Sequence, residues 1–206
     1  MVSLRGMKQL LLICAVVALV GCSPKIKVDP ILEKEIRVEL NKPTGKLTKA
    51  DLEKLIKLDL GHYLMTDDIL VQVPKDLQKL TQLEELTLTG NQLTDVKGLE
   101  NLTKLEFLYL SGNQLAEVPK GLEKLTQLRT LNLYDNQLTD VKGLEKLTQL
   151  TWLYLNNNQL IDVKGLEKLT KLTKLYLDNN PDLTKAQIDE LKKALPKCEI
   201  GSNPTK

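Results

Sequence analysis

Residues 83–104 read LEELTLTGNQLTDVKGLENLTK, and the chain writes this stretch again and again. Residues 105–127 give LEFLYLSGNQLAEVPKGLEKLTQ, 128–149 give LRTLNLYDNQLTDVKGLEKLTQ, and 150–171 give LTWLYLNNNQLIDVKGLEKLTK. A fifth copy starts at Leu172, so the starts are spaced by 22, 23, 22 and 22 residues. In each copy two leucines stand two apart, as Leu86 and Leu88 do, which puts both on one side of a strand and the residue between them on the other. A single strand of this kind cannot bury its leucines alone. Parallel copies stacked on one another bury each other's leucine sides in one continuous core, a solution that needs about three or more repeats. Val96, Leu99 and Leu102, with Val141, Leu144 and Leu147, recur in register and are expected to close the back of the coil.

The skeleton L-x-x-L-x-L-x-x-N-x-L, carried by Leu83, Leu86, Leu88, Asn91 and Leu93 and their repeats, resembles the leucine-rich repeat family, whose period is about 20–29 residues. The period of 22 and the D-V-K-G-L-E-K-L-T segment look most like its short-repeat, internalin-like subgroup. That resemblance implies an α/β repeat: a right-handed solenoid with a parallel concave sheet, 3₁₀ or one-turn helices on the convex side, and helical caps. It also implies a protein-recognition scaffold. In the family the repeated Asn bonds to the turn backbone between coils, and Asn91, Asn113, Asn136, Asn158 and Asn180 match it. A buried amide is costly unless its donors and acceptor are used, so these residues are assigned to structure rather than to ligand binding. Pro119 and the extra residue in its copy depart toward an L-x-x-V-P variant and imply a local change of curvature.

The first 21 residues differ from the rest. Arg5 and Lys8 precede an apolar run from Leu10 to Val20, too short to span a bilayer comfortably and suited to a secretory signal. The run ends in Leu19-Val20-Gly21-Cys22, which resembles the bacterial lipobox; by that resemblance Cys22 becomes the lipid-bearing first residue of the mature chain. The competing reading is an ordinary signal peptide with an incidental Cys. Two or more acyl chains make a stable anchor. Ser23, rather than Asp, follows the Cys, which favours the outer membrane if the host has one. Two of the 29 basic residues lie in this leader, so 27 basic residues face 27 acidic ones beyond it, and no electrostatic case for nucleic acid arises. Cys14 leaves with the signal, so Cys198 is left without an intramolecular partner and is expected to be a buried cap residue.

In chain order, residues 22–29 read as a tether and 30–54 as a helical amino-terminal cap. Asp29-Pro30 is a helix start, with Leu32, Ile36 and Leu40 on one stripe to about Asn41. Thr48 with Asp51 resembles a capping box opening a short second helix to about Lys54. The solenoid is expected over 55–183, beginning with a degenerate coil at Leu55, Leu58 and Leu60 that carries an insertion within Gly61 to Asp68. His62 and Tyr63 lie there; one histidine without further ligands argues weakly for metal, while an inserted loop can contribute to a ligand face. Thr184 with Gln187 opens a carboxy-terminal cap over 184–201, in which Ile188, Leu191 and Leu195 line a helix and 198–200 add a strand; 202–206 is a tail expected to fray.

Function is sought in the strand residues that alternate with the leucines. The central slot reads Thr87, Tyr109, Asn132, Tyr154, Tyr176; the slot two before it Glu85, Phe107, Thr130, Trp152, Lys174; the slot two after it Thr89, Ser111, Tyr134, Asn156, Asp178. Six of the seven aromatic residues of the chain fall in these slots, all but Tyr63. Strand propensity alone places tyrosine on a pleated surface. Aromatic residues are also the commonest interface anchors, and their confinement to one face favours binding. The expected protein-binding set is Phe107, Tyr109, Arg129, Tyr134, Trp152, Tyr154, Lys174, Tyr176 and Asp178. An envelope glycan or peptidoglycan stacking on the same rings is the alternative. No nucleophile elbow, H-E-x-x-H or phosphate-cradling glycine loop occurs, so neither catalysis, cofactor nor metal is expected. A monomer at the bacterial envelope, with an unidentified protein partner, is the reading.

Overall fold

Seven three-residue strands, one per coil, make a single parallel sheet whose spatial order is the order of the chain. They are β1 (Lys57–Asp59), β2 (Glu85–Thr87), β3 (Phe107–Tyr109), β4 (Thr130–Asn132), β5 (Trp152–Tyr154), β6 (Lys174–Tyr176) and β7 (Glu199–Gly201). This computed structural model describes residues 28–61 and 69–203. The leader, Cys22 with most of the tether, the inserted residues 62–68 with His62 and Tyr63, and residues 204–206 lie outside them.

Pairing is one-to-one through the whole stack, and each middle residue faces a middle residue: Leu58, Leu86, Leu108, Leu131, Leu153, Leu175 and Ile200. Leu86, Leu108, Leu131, Leu153 and Leu175 are completely buried, as are Leu99, Leu144 and Leu166 of the opposite wall. The strands stay short because the chain must turn away to bring the second wall over the leucines.

The convex wall is a column of 3₁₀ turns: η1 (Lys75–Lys79), η2 (Leu99–Asn101), η3 (Leu122–Lys124), η4 (Leu144–Lys146) and η5 (Leu166–Lys168). Before each of the last four stands a glycine with φ between +97° and +106°, a conformation side chains resist. The glutamate two residues on accepts the glycine N–H, at 2.6 Å in Gly98–Glu100, Gly143–Glu145 and Gly165–Glu167 and 2.7 Å in Gly121–Glu123. A carboxylate thereby satisfies an amide that the short helix leaves without a partner. Those bonds hold the Glu123 and Glu145 carboxyls below the usual range, their own backbone N–H contributing most and the glycine N–H next. The extra residue at Pro119 is taken up inside its turn. Pro119 is buried and its carbonyl accepts the Leu122 N–H at 3.2 Å, while the register from β3 to β4 continues unbroken.

The five repeated asparagines stand between coils and are buried. Asn136 shows the pattern: its Oδ1 accepts the Leu115 N–H of the preceding coil at 3.1 Å, and its Nδ2 donates to Leu110 O at 3.0 Å and Leu133 O at 3.2 Å. Asn91, Asn113, Asn158 and Asn180 repeat it, each using both amide ends on backbone.

Both ends of the stack are covered by helices. Helix α1 (Pro30–Glu39) is capped by Asp29, whose Oδ1 accepts the Ile31 N–H at 3.0 Å, and it buries Leu32 and Ile36 completely in the leucine core. It stops two residues before the expected Asn41. The Arg37 guanidinium holds the following turn by donating to Glu33, Lys42 O and Gly45 O. Helix α2 (Lys49–Leu52) starts at the Thr48–Asp51 capping box. Lys42 bonds the Asp51 carboxylate at 2.7 Å and, with Thr48, drives that carboxyl far below the usual range. Helix α3 (Lys185–Ala194) starts at the reciprocal Thr184–Gln187 box and buries Ile188 and Leu191.

One expectation is corrected at this end. Cys198 is half-buried rather than buried, because β7 is an edge strand of the sheet among the described residues; burial still raises its thiol, with Glu199 adding to the shift. Beyond Gly201 the tail is bonded back to the sheet through Asn203. Asn203 accepts the Asn179 N–H at 2.6 Å and donates to Asn179 Oδ1 at 3.0 Å.

Candidate functional site

Strand register turns the outward slots into columns about 4.8 Å apart from strand to strand. The central column runs Asp59, Thr87, Tyr109, Asn132, Tyr154, Tyr176, Gly201. The rings of Tyr154 and Tyr176 stack with centroids 4.9 Å apart and planes 8° from parallel. Beyond them Gly201 supplies the floor: a Cβ there would lie 3.3 Å from a Tyr176 ring carbon and 3.0 Å from Asp178 Oδ2. Burial raises Tyr109 and Tyr154 above the ordinary value, helped by the charge of Glu85 on Tyr109 and by Tyr176 on Tyr154.

The neighbouring column runs Lys57, Glu85, Phe107, Thr130, Trp152, Lys174, Glu199. Among the described residues Trp152 is the most open ring, 43% exposed, and the Lys174 ammonium sits 5.6 Å from its centroid. Between Phe107 and Trp152 the small Thr130 is buried, so this slot offers no polar group to a partner. Lys57 and Glu85 pair at 2.6 Å across the first two strands. Arg129, one residue ahead of β4, reaches Glu106 at 3.0 Å and stays largely exposed.

In the third column Ser111 is buried and bonds Thr89, whereas Tyr134 is 38% exposed. The Tyr134 hydroxyl accepts from Asn157 at 3.1 Å, and Asn157 accepts from Asn179 at 2.7 Å. Asn203 continues that row of amides along the lip of the sheet. Its backbone explains its composition: Gly90, Gly112, Asp135, Asn157 and Asn179 all have positive φ, which glycine, Asn and Asp tolerate best. Asn156, beside Asp178 in the third column, keeps a buried Oδ1 that no group in the described residues satisfies.

All nine residues expected at the binding face therefore lie on or beside one surface, with the rings outward and the leucines beneath. Lys57, Asp59, Glu199 and Gly201 belong to the same face and were missed. The phase of Leu55, Leu58 and Leu60 carries Lys57 and Asp59 into the columns. A last strand is expected over 198–200, but its register, which brings Glu199 and Gly201 onto the face, is not set by the repeat pattern. Among the described residues no group of three or more His, Cys, Asp or Glu could hold a metal ion, and no helix is long and apolar enough to cross a membrane.

The family profile described as Leucine Rich repeats (2 copies) matches residues 81–125, 103–146 and 148–193. Among solved structures, an internalin, InlF, from Listeria monocytogenes is similar with TM-score 0.65 and 26% identity, over 86% of this chain and 58% of that one. Internalin C2 of the same organism gives TM-score 0.63 and 25% identity, over 89% of this chain and 93% of that one. A leucine-rich repeat protein of Leptospira interrogans gives TM-score 0.64 and 34% identity, over 73% of this chain and 38% of that one. The chain thus spans well under two thirds of the InlF and Leptospira structures. No curated protein sequence matches it. With the profile spanning more than half of its length and a parallel solenoid beneath it, the chain belongs to the leucine-rich repeat family, whose members typically mediate protein interactions.

Proposed function

We propose that this chain is a membrane-tethered recognition module that holds another protein against its concave sheet and carries out no catalysis. The observation that carries the reading is the placement of six of the seven aromatic residues on that one surface. Large, stiff rings give contact area at low entropic cost, and Trp and Tyr are the residues whose truncation most often costs an interface more than about 2 kcal/mol. Phe107, Tyr109, Tyr134, Trp152, Tyr154 and Tyr176 supply the anchors. Arg129, Lys174 and Asp178 supply charge at the margins. The tether is assigned to Cys22 on the strength of Leu19-Val20-Gly21-Cys22 behind an apolar leader, which places the module at the bacterial envelope.

Two measurements test the halves of this reading separately. Cys22→Ser is expected to move the protein out of the membrane fraction of the producing bacterium; retention there refutes the lipid anchor. Pull-down from envelope extract with the wild-type chain and with Trp152→Ala/Tyr154→Ala is expected to lose one or more proteins in the variant. Unchanged recovery of every species refutes the concave site, and selective loss of glycan alone replaces the protein partner by a sugar.

A further inference from the structure

Resting on the concave-face reading, we infer that the partner presents a basic segment, and that one planar cationic side chain of it inserts between Tyr109 and Tyr154 above Asn132. The first observation is the order of residues in the central column. Asn132 takes the central slot between two tyrosines, so Tyr109 and Tyr154 stand two strands apart, about 9–10 Å at ordinary strand spacing. Tyr154 and Tyr176, on adjacent strands, already fill their own spacing by stacking. A planar group between the first two rings meets an aromatic face on each side, an arrangement guanidinium favours through stacking and attraction to the ring quadrupole. The surface already holds one cation in this manner, Lys174 over Trp152.

The second observation is charge. In the outward strand columns Lys57 and Lys174 are set against Asp59, Glu85, Asp178 and Glu199. The position one residue ahead of the strands adds Glu84 and Glu106 against Arg129. Three cations thus stand against six anions on a chain that beyond its leader has equal numbers of each. Glu85 stands on β2, on the side of Tyr109 away from Asn132, where it pairs with Lys57 at 2.6 Å. Toward the other end the Asp178 carboxylate adds an acceptor in the third column. Acceptors in excess call for a ligand rich in N–H donors. An acidic peptide would be repelled along the face, and an uncharged sugar would gain nothing from the imbalance.

The test titrates the full chain in detergent with two labelled peptides of about twelve residues, alike except that one carries Arg where the other carries Glu, at about 50 and about 300 mM salt. The Arg peptide is expected to bind about tenfold more tightly at low salt, with the preference shrinking at high salt. Asn132→Tyr fills the slot with the residue that its column neighbours already use. It is expected to weaken the Arg peptide about fivefold or more. Because Asn132 Oδ1 accepts the Tyr134 N–H at 2.9 Å, the control is Asn132→Asp, which keeps that acceptor and the open slot and is expected to bind the Arg peptide at least as well as wild type. Asp178→Asn is expected to flatten the salt dependence. Equal or tighter binding of the Glu peptide overturns the inference, as does an Asn132→Tyr chain that binds the Arg peptide unimpaired. Soluble peptidoglycan fragments binding while neither peptide does also overturns it. If Trp152→Ala/Tyr154→Ala still loses an envelope protein when the peptides show no preference, the concave site stands and the basic partner falls.

Discussion

Asn136→Ala removes the central rung of the amide ladder, and the structure sets the size of the loss. The side chain makes four backbone hydrogen bonds: one accepted from Leu115 N–H at 3.1 Å, two donated to Leu110 O and Leu133 O at 3.0 and 3.2 Å, and a longer one to Tyr134 O at 3.3 Å. Each such bond is worth about 1 kcal/mol net, and a buried N–H left without an acceptor costs about 1–3 kcal/mol. The Leu115 amide lies beneath a completely buried side chain, where water does not readily replace the amide oxygen. A loss of about 3–5 kcal/mol follows. Urea unfolding of Asn136→Ala beside Asn101→Ala measures it, because Asn101 is exposed and bonds only Gln78 at 3.3 Å. The control is expected within about 0.5 kcal/mol of wild type. Cooperativity in a repeat array can break when one interface weakens, so hydrogen exchange at Leu115 is the second readout, expected to lose protection locally. A destabilisation below about 1 kcal/mol with the Leu115 amide still protected would refute the reasoning.

Gly143→Ala and Gly121→Ala separate backbone strain from crowding. Both have positive φ and are expected to lose about 1–2 kcal/mol. Only at Gly121 would the new Cβ also come within 3.0 Å of Glu100 Cβ, so thermal melts are expected to rank it lower; equal midpoints count against the crowding argument. The Glu123 and Glu145 carboxyls titrate lower in the fold than the ordinary 4.5, so their contribution is fully present above that value and is lost as pH falls through the folded values. Glu123→Gln/Glu145→Gln is expected to melt lower than wild type at pH 7 and to flatten the acid limb below about pH 4.5; parallel curves for both chains would contradict the assignment.

What the sequence made legible is whatever the repeat states more than once. The leucine phase alone fixes which side of each strand is buried, and so which residues reach the open face; Tyr109, Trp152 and Tyr154 follow from counting. Thr130 and Ser111 show where counting stops, since their slots are correct but their exposure depends on neighbouring side chains. The glutamate that closes each convex turn was in plain view in G-L-E, yet reads as a solvated charge until the Gly N–H is seen to point at it. The row Tyr134, Asn157, Asn179 and Asn203 crosses four coils in steps of 23, 22 and 24 residues between ordinary polar residues, so no local pattern reveals it. Cys198 was misjudged because burial at the end of a stack depends on what lies beyond the last strand.

Because each coil touches only the one before and the one after, the open face behaves as a ruler graduated in strand spacings. Duplicating residues 128–149 in place would carry a second Asn132 equivalent into the central column and move Tyr154 one graduation away from Tyr109, about 4.8 Å, with no ring altered. Recombination between near-identical cassettes could thus retune what this surface grasps by changing distances alone, leaving its chemistry as it is.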